Sequence, residues 1–243
     1  MEKITIIAEA GINHGGDVKV AHDMIDAAVE AGADVVKFQT VNPDLVYPDT
    51  SGELYKIFKK VQLKKEDWIT LKAHAERVGI EFLSTPGDRE SADLLEEIGV
   101  NAFKIASDSG RDVEFVKHVM DKNKPMIIST GHMTSVEDTI ETMDKYTRYP
   151  EIIMHCVSKY PCPDADAALY KIPELIAATK DKSTVIGYSD HTVGISTAVS
   201  AVMLGARVLE KHFMIDKKAI DAPVSLMPDQ LKELITKIRS LEK

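Results

Sequence analysis

Short runs of branched apolar residues recur along the chain, separated by stretches in which apolar residues return every three or four positions. The runs predict strands at residues 4–10, 34–40, 81–86, 102–107, 125–131, 151–157, 184–190 and 207–213. Most begin as continuous apolar segments and turn polar only near their ends, as expected of parallel strands covered on both faces. Between them the period becomes helical. Ala21, Met24, Ile25, Ala28 and Val29 form one stripe; Trp68, Leu71, Ala75 and Val78 a second; Val136, Ile140 and Met143 a third. Leu231, Leu234, Ile235, Ile238 and Leu241 line the last. Gly32, Gly79, Gly99 and Gly205 fall where helices should stop, Ser135 suits an N-cap, and Pro228 suits a first helical turn.

Alternation of this kind, carried through eight units, predicts an α/β fold: a closed (β/α)8 TIM barrel spanning residues 1–243 as a single domain. A doubly wound open sheet is the alternative, but the regular units and the lack of a Gly-rich nucleotide fingerprint favour closure; Gly15–Gly16 reads as a tight turn. The longest connection, residues 41–65, is polar and Pro-containing, the character of a functional lid or partner contact.

Composition narrows the function. The 243 residues are 44% hydrophobic and 28% charged, which excludes a disordered chain. No apolar run approaches the roughly 20 residues needed to span a bilayer, and MEKITIIAEAG lacks a signal peptide's apolar stretch, so a cytoplasmic protein without membrane contact is expected. A formal charge of −9 argues against nucleic-acid binding. Cys156 and Cys162 make neither a disulfide framework nor a CxxC metal pair and read as reduced thiols.

A barrel places its active site at the carboxyl ends of its strands. Those ends read Glu9; Lys37 and Gln39; Ser84 and Thr85; Lys104 and Ser107; Ser129 and Thr130; His155 and Ser158; Tyr188, Ser189, Asp190 and His191; and Glu210, Lys211 and His212. The result is one polar bowl with lysines in it. Lys37 and Lys104, with hydroxyls close by, suit a phosphate site. A structural ion pair, or a Schiff-base lysine as in aldolases, is the competing use. His14, His132, His155, His191 and His212 lie at strand ends or following loops, whereas His22, His74 and His118 fall on predicted helices and are expected to face solvent. Among the five, His212 is a plausible metal ligand, with Glu9 or Asp190 supplying oxygen.

The segments AEAGINHGG (8–16), AGADVVKFQT (31–40), FLSTP (82–86), FKIAS (103–107), STG (129–131), HCVSKYPCP (155–163), GYSDHTVG (187–194) and GARVLEKHF (205–213) resemble the barrel of the sialic-acid (N-acetylneuraminate) synthase family. The resemblance covers nearly the whole chain, and GINHGG, KFQT, GYSDHT and EKHF in that order are its specific signals. It implies an enzyme that condenses phosphoenolpyruvate with an amino-sugar aldehyde such as N-acetylmannosamine to a 2-keto-3-deoxy acid plus phosphate, with a divalent metal, Mn2+ or Mg2+. Relatives act on other hexose derivatives or in spore-coat polysaccharide synthesis. By resemblance, Lys37, Lys104, Ser107 and Ser129 hold phosphoenolpyruvate, while Gln39, Thr85, Ser158 and Tyr160 line the site. Tyr188 and Asp190 contribute further substrate contacts, Glu9 faces the reacting centre, and His212 binds the metal. A homodimer is the expected assembly.

Three departures stand out. The family's second metal-binding histidine follows EKHF in a GPDH stretch; aligning VSLMPDQL (224–231) puts Ala222 there, with Asp221 beside it as a possible oxygen donor. Asp108 and Ser109 stand where the family has a glycine and a glutamate. The family's C-terminal antifreeze-like domain, which in the dimer supplies an arginine to the partner's sugar site, is not expected here, which admits a separate capping subunit. A partner-dependent or non-catalytic homologue binding sugar or phosphoenolpyruvate remains an alternative.

Overall fold

Each apolar run becomes a strand, and every end falls within two residues of expectation. The computed structural model describes residues 3–242. Its strands are β1 (Thr5–Gly11), β2 (Val35–Thr40), β3 (Glu81–Pro86), β4 (Phe103–Ile105), β5 (Met126–Ser129), β6 (Ile152–His155), β7 (Val185–Asp190) and β8 (Val208–His212). All ladders are parallel, in the order β3-β2-β1-β8-β7-β6-β5-β4. Because β8 pairs with β1, the sheet curls back on itself. β3 and the short β4 lie side by side without a ladder, so the (β/α)8 barrel is nearly closed.

Among the described residues ten α-helices pack outside or cap the strand ends: α1 (Val18–Ala31), α2 (Pro43–Val46), α3 (Glu53–Val61), α4 (Lys65–Val78), α5 (Arg89–Glu97), α6 (Val113–Met120), α7 (Val136–Met143), α8 (Lys171–Ala178), α9 (Ser196–Met203) and α10 (Pro228–Leu241). The caps are local chemistry. Asp17 accepts from the backbone N–H of Lys19 to open α1, and Ser135 accepts from that of Asp138 to open α7. The 41–65 connection is not a plain loop. Asn42 caps α2, Pro43 takes its first position, and α3 follows, so the segment lies as two short helices across the barrel mouth.

Alternation along the strands creates two cores. Ile7, Leu83, Ile127, Met154 and Val208 point inward and fill the amino end of the barrel. The opposite faces, with Ile6, Phe38, Phe103, Ile128, Ile153 and Leu209, pack against the helices in a larger outer layer. At the amino end, Arg239 of α10 binds Asp34 at 2.6 Å and the carbonyl of Ile4 at 2.7 Å, tying the last helix to the start of the barrel.

The outer layer also buries an ion pair. Lys211 Nζ lies 3.0 Å from Asp190 Oδ2 and donates to the carbonyl of Thr192, while Asp190 Oδ1 accepts from the Thr192 N–H at 2.8 Å and from Thr197 Oγ1 at 3.2 Å. Both charged side chains are fully buried. Truncating one partner strands the other in a dry layer, a loss of roughly 3–5 kcal/mol. Asp190→Ala is therefore expected to lower the midpoint of urea unfolding severely relative to the native chain, and an unchanged midpoint would show that the pair adds nothing to stability.

Candidate active site

Inward-facing residues near the strand ends meet in a cavity of about 390 Å3. Its floor carries four buried charges. Lys37 Nζ lies 3.0 Å from Glu9 Oε2 and 3.6 Å from Glu210 Oε2, and Lys104 Nζ lies 3.8 Å from the same Glu210 oxygen. Each lysine also has a hydroxyl: Lys37 donates to Thr85 Oγ1 at 3.1 Å and Lys104 to Ser129 Oγ at 2.7 Å. Glu210 accepts from Ser189 Oγ at 2.9 Å, and Glu9 Oε1 accepts from Gln39 Nε2 at 3.1 Å.

Lys37, Lys104 and Glu210 respond to their neighbours in different directions. Burial pushes Lys37 down, but Glu210 and Glu9 outweigh it and hold the ammonium above its ordinary value. Lys104 is less well paired; burial, with Lys37 adding to it, pulls it below the ordinary lysine range. Glu210 would rise on burial alone, yet Lys104 and Lys37 hold it well below the usual carboxylate range. At 3.6 and 3.8 Å, Glu210 is too far to take either lysine's hydrogen bonds, so N–H donors remain for an anion.

Backbone geometry sets the spacing. The β1–β2 register shifts between Glu9 and Gly11, a bulge that leaves Glu9 opposite Lys37 while Gly11 faces Phe38. A side chain on Gly11 would start 3.1 Å from Asp221 Oδ2 and 3.4 Å from both Gln39 and Glu9, so its absence lets these groups meet. Gly131 does the same across the floor. A Cβ there would lie 2.3 Å from Ser158 Oγ, 2.8 Å from Cys156 Sγ and 2.9 Å from Ser107 Oγ, and its own N–H donates to Ser107 Oγ at 3.0 Å. Cys156 and Cys162 are both free and buried; burial raises the Cys156 thiol, which bonds Ser107 at 3.0 Å.

Glu9, Lys37, Gln39, Thr85, Lys104, Ser107, Ser129, Ser158, Tyr160 and His212 all line the cavity. Asp221 is not among the lining residues but stands behind one, its Oδ2 3.3 Å from His212 Nδ1. Tyr188 and Asp190 do not line it. Side chains alternate along β7, so with Ser189 facing in, its two neighbours face out. Tyr188 stacks on His155 in the outer layer and Asp190 holds Lys211, which leaves neither a substrate contact and removes Asp190 as an oxygen donor to a metal. His155 is turned outward, donating to the carbonyl of Ala167 at 2.9 Å. His74 does not face solvent: it is buried between α1 and α4, 2.6 Å from Asp26 Oδ1.

Other lining residues had no role assigned from the sequence, among them Ser189, His191 and Glu210, named only as strand ends, and the apolar trio Val46, Tyr47 and Phe58 from α2, its C-cap and α3. The first three share inward parity with His212, a signal present in the sequence. His191 Nδ1 lies 2.8 Å from the Val157 carbonyl, which can only accept, so Nδ1 carries the hydrogen and Nε2 presents a lone pair. Burial first, then nearby His212, pulls its pKa down to about 4, keeping the ring neutral. Tyr160, 57% exposed at the mouth, stacks on His191 at 4.1 Å and donates to its Nε2 at 3.0 Å.

The donor chemistry suits a divalent cation in part. The rings of His191 and His212 lie 5.6 Å apart, His212 Nδ1 is buried with no hydrogen-bond partner, and the carboxylates of Asp221 and Glu9 are adjacent. Ala222 brings no donor, but its neighbour Asp221 does. Among the described residues no three His, Cys, Asp or Glu side chains converge into a complete cluster, so an ion here needs oxygens from substrate and water.

Residues 24–243 match the NeuB family. The chain belongs to this family. It is 37% identical to the N,N'-diacetyllegionaminic acid synthase of Campylobacter jejuni over 100% of this chain and 78% of that protein. It is 42% identical to the spore coat polysaccharide biosynthesis protein SpsE of Bacillus subtilis, over 98% of this chain and 68% of that one. The crystal structure of N-acetylneuraminic acid synthetase from Leptospira borgpetersenii superposes with a TM-score of 0.91 at 33% identity, covering 99% of this chain and 84% of that one. Among the described residues no helix is long and apolar enough to cross a membrane.

The family motif GINHGG contains His14, which the structure places outside the cavity, against Phe38 and Trp68. Burial lowers its pKa from 6.5 to about 4. The unfolded chain therefore takes up the proton first, and stability falls as pH drops from about 6.5 towards 4, by up to about 3 kcal/mol. Between pH 7 and pH 5 the thermal midpoint of the native protein should fall further than that of His14→Asn, whose amide oxygen can still accept from the Gly16 N–H.

Proposed function

We propose that this NeuB-family chain condenses phosphoenolpyruvate with an amino-sugar aldose, releasing phosphate and forming a 2-keto-3-deoxy sugar acid. The observation that carries the reading is the pair of buried lysines on one floor, each with a hydroxyl partner and donors to spare. Phosphoenolpyruvate is a small molecule with two anionic ends. Lys37 with Thr85 and Lys104 with Ser129 and Ser107 offer two matching cationic corners. The names of the relatives, synthases of acidic sugars, agree with this chemistry.

In the reaction, the enol carbon forms a bond to the aldose carbonyl carbon, whose oxygen takes up a proton to become a hydroxyl. Water adds to the carbon bearing phosphate, and the tetrahedral centre then expels phosphate and leaves the keto group. Atoms balance as phosphoenolpyruvate plus aldose plus water giving keto acid plus phosphate. Glu9 takes the water's proton in this reading, which is supported by its buried Oε2 at the cavity floor, 3.0 Å from Lys37 Nζ. Lys37 and Lys104 hold the anionic groups against the charge that develops as phosphate departs. Ser107, held between Gly131 and Cys156, keeps its hydroxyl aimed at the floor, and Tyr160 covers the mouth. A divalent ion, Mn2+ or Mg2+, would be held by His212 with Asp221, substrate and water oxygens completing its shell, and would supply Lewis-acid polarisation of the aldehyde.

Phosphate release from phosphoenolpyruvate, followed with a panel of aldoses, tests the reading. Release with an N-acylated hexose supports it; binding of phosphoenolpyruvate with no release from any sugar assigns a non-catalytic or partner-dependent homologue instead. Lys104→Ala should weaken phosphoenolpyruvate binding by about a hundredfold, the loss of one or two charge-assisted hydrogen bonds, and unchanged affinity would sink the phosphate site. The metal assignment has its own readout. Titration of free Mn2+ by electron paramagnetic resonance should show one site in the native chain and none in His212→Ala, with phosphoenolpyruvate affinity retained.

A further inference from the structure

We infer that a hollow beneath α3, separate from the cavity at the barrel floor, is a second small-molecule site, and that it takes a nucleoside monophosphate. This does not rest on what the floor cavity binds.

The shape of the hollow is the first observation. Between α3, the start of α4 and α5 lies a recess of about 610 Å3, within the size range of cavities that hold a metabolite. Phe58, Val61, Leu63, Trp68 and Leu94 form its apolar walls. The helix above is held by contacts outside the recess. Phe58 stacks on Tyr47 with ring centroids 5.3 Å apart. Glycine at position 16 lets the turn after β1 close on the end of α3, since a Cβ there would lie 2.5 Å from the Lys60 carbonyl oxygen. Trp68 is held edge-on by Phe38 and His14, at 6.0 and 6.4 Å. A flat apolar body entering between these walls gains burial without moving them. Gln39, Val41 and Phe58 line both hollows, so the two share a wall, but neither Lys37 nor Lys104 reaches this one.

Charge is the second observation. The chain carries −9 overall, yet KKVQLKK (59–65) places four lysines in seven residues. Three of them, Lys59, Lys64 and Lys65, border the recess against one carboxylate, Glu90, an excess of two positive charges. That excess matches a phosphate monoester dianion. Lys59 and Lys65 sit in exposed pairs with Asp44 and Glu97, contacts weak enough to be exchanged for a ligand. The Lys64 ammonium has no carboxylate partner among the described residues, and the Gln62 amide beside it makes no hydrogen bond there. A sugar phosphate would use these cations and leave the apolar walls unused. A nucleotide uses both: its base lies against Phe58 and Trp68, its base edge meets Gln62, and its phosphate meets the lysines.

Isothermal titration of the full chain with AMP, CMP, GMP and UMP tests this. Ribose 5-phosphate and the matching nucleosides serve as controls, and the emission of Trp68, the only tryptophan of the chain, is a local reporter. At least one nucleotide should bind at least tenfold more tightly than ribose 5-phosphate or its own nucleoside, and should shift Trp68 emission along the same curve. Lys64 is exposed, so its charge can be reversed without disturbing the fold. Lys64→Glu should weaken the nucleotide about tenfold, whereas Lys64→Arg and Lys104→Ala, each checked for native circular dichroism, should leave its affinity unchanged. Unchanged affinity in Lys64→Glu, or loss of binding in Lys104→Ala, puts the nucleotide elsewhere and overturns the inference. Ribose 5-phosphate binding as tightly as the nucleotides overturns it too, because charge alone would then be at work. So does the absence of saturable binding by all four nucleotides.

Discussion

The rest of the structure depends on the four charges buried at the floor of the barrel. A lone ammonium or carboxylate at that depth would be neutralised rather than tolerated. Here Glu210 and Glu9 favour the charged form of Lys37, and the two lysines that of Glu210, yet only the 3.0 Å Lys37–Glu9 contact is short. Buried ion networks of this kind contribute little to stability compared with apolar residues of the same volume. Their looseness is the informative feature. Glu210 holds two lysines in place electrostatically without occupying their hydrogen-bond donors, so the floor is prepared for an incoming anion. The nearly closed barrel makes this possible. It brings residues from β1, β2, β4 and β8 to one point, which no hairpin or single βαβ unit could do.

One strand end serves both functions and stability. On β7 and just beyond, Ser189 and His191 face the cavity, while Tyr188 and Asp190 face the helices. The outward set is packed and paired: Asp190 is held by Lys211, Thr192 and Thr197. That network fixes the backbone of residues 188–192, and so fixes where Ser189 meets Glu210 and where His191 turns its lone pair. The buried outer pair therefore supports the site without touching it. A helix-facing ion pair one residue from a cavity-facing serine is a natural outcome of period-two geometry.

The same period explains what could be read from the sequence. The eight strands, their order of polar ends and the barrel itself follow from apolar runs and helical stripes, because parallel strands must bury both faces. The site was legible to the extent that residue types stood at strand ends, as with Lys37, Lys104, Thr85 and Ser129. What was misread came from treating a strand end as a single direction. Tyr188, Asp190 and His155 are polar and sit at the right height, but they lie on the wrong parity. Applying the alternation from Ser189 outward selects His191 and rejects both neighbours. Glu210 follows from His212 in the same way.

The 41–65 segment was opaque for a different reason. Its polarity and prolines are real, and they describe its solvent face. What matters is a few apolar positions, Val46, Tyr47 and Phe58, separated by twelve residues and facing inward only because α2 and α3 fold across the mouth. No periodicity joins Tyr47 to Phe58; their contact is tertiary. The floor of the cavity, built by strands with a fixed repeat, is thus the part the sequence exposes, and the mouth, built by a segment without one, is the part that needs coordinates. Floor and mouth are therefore unequally legible: the first follows from the repeat of the strands, the second from a contact between two aromatic rings far apart in the chain.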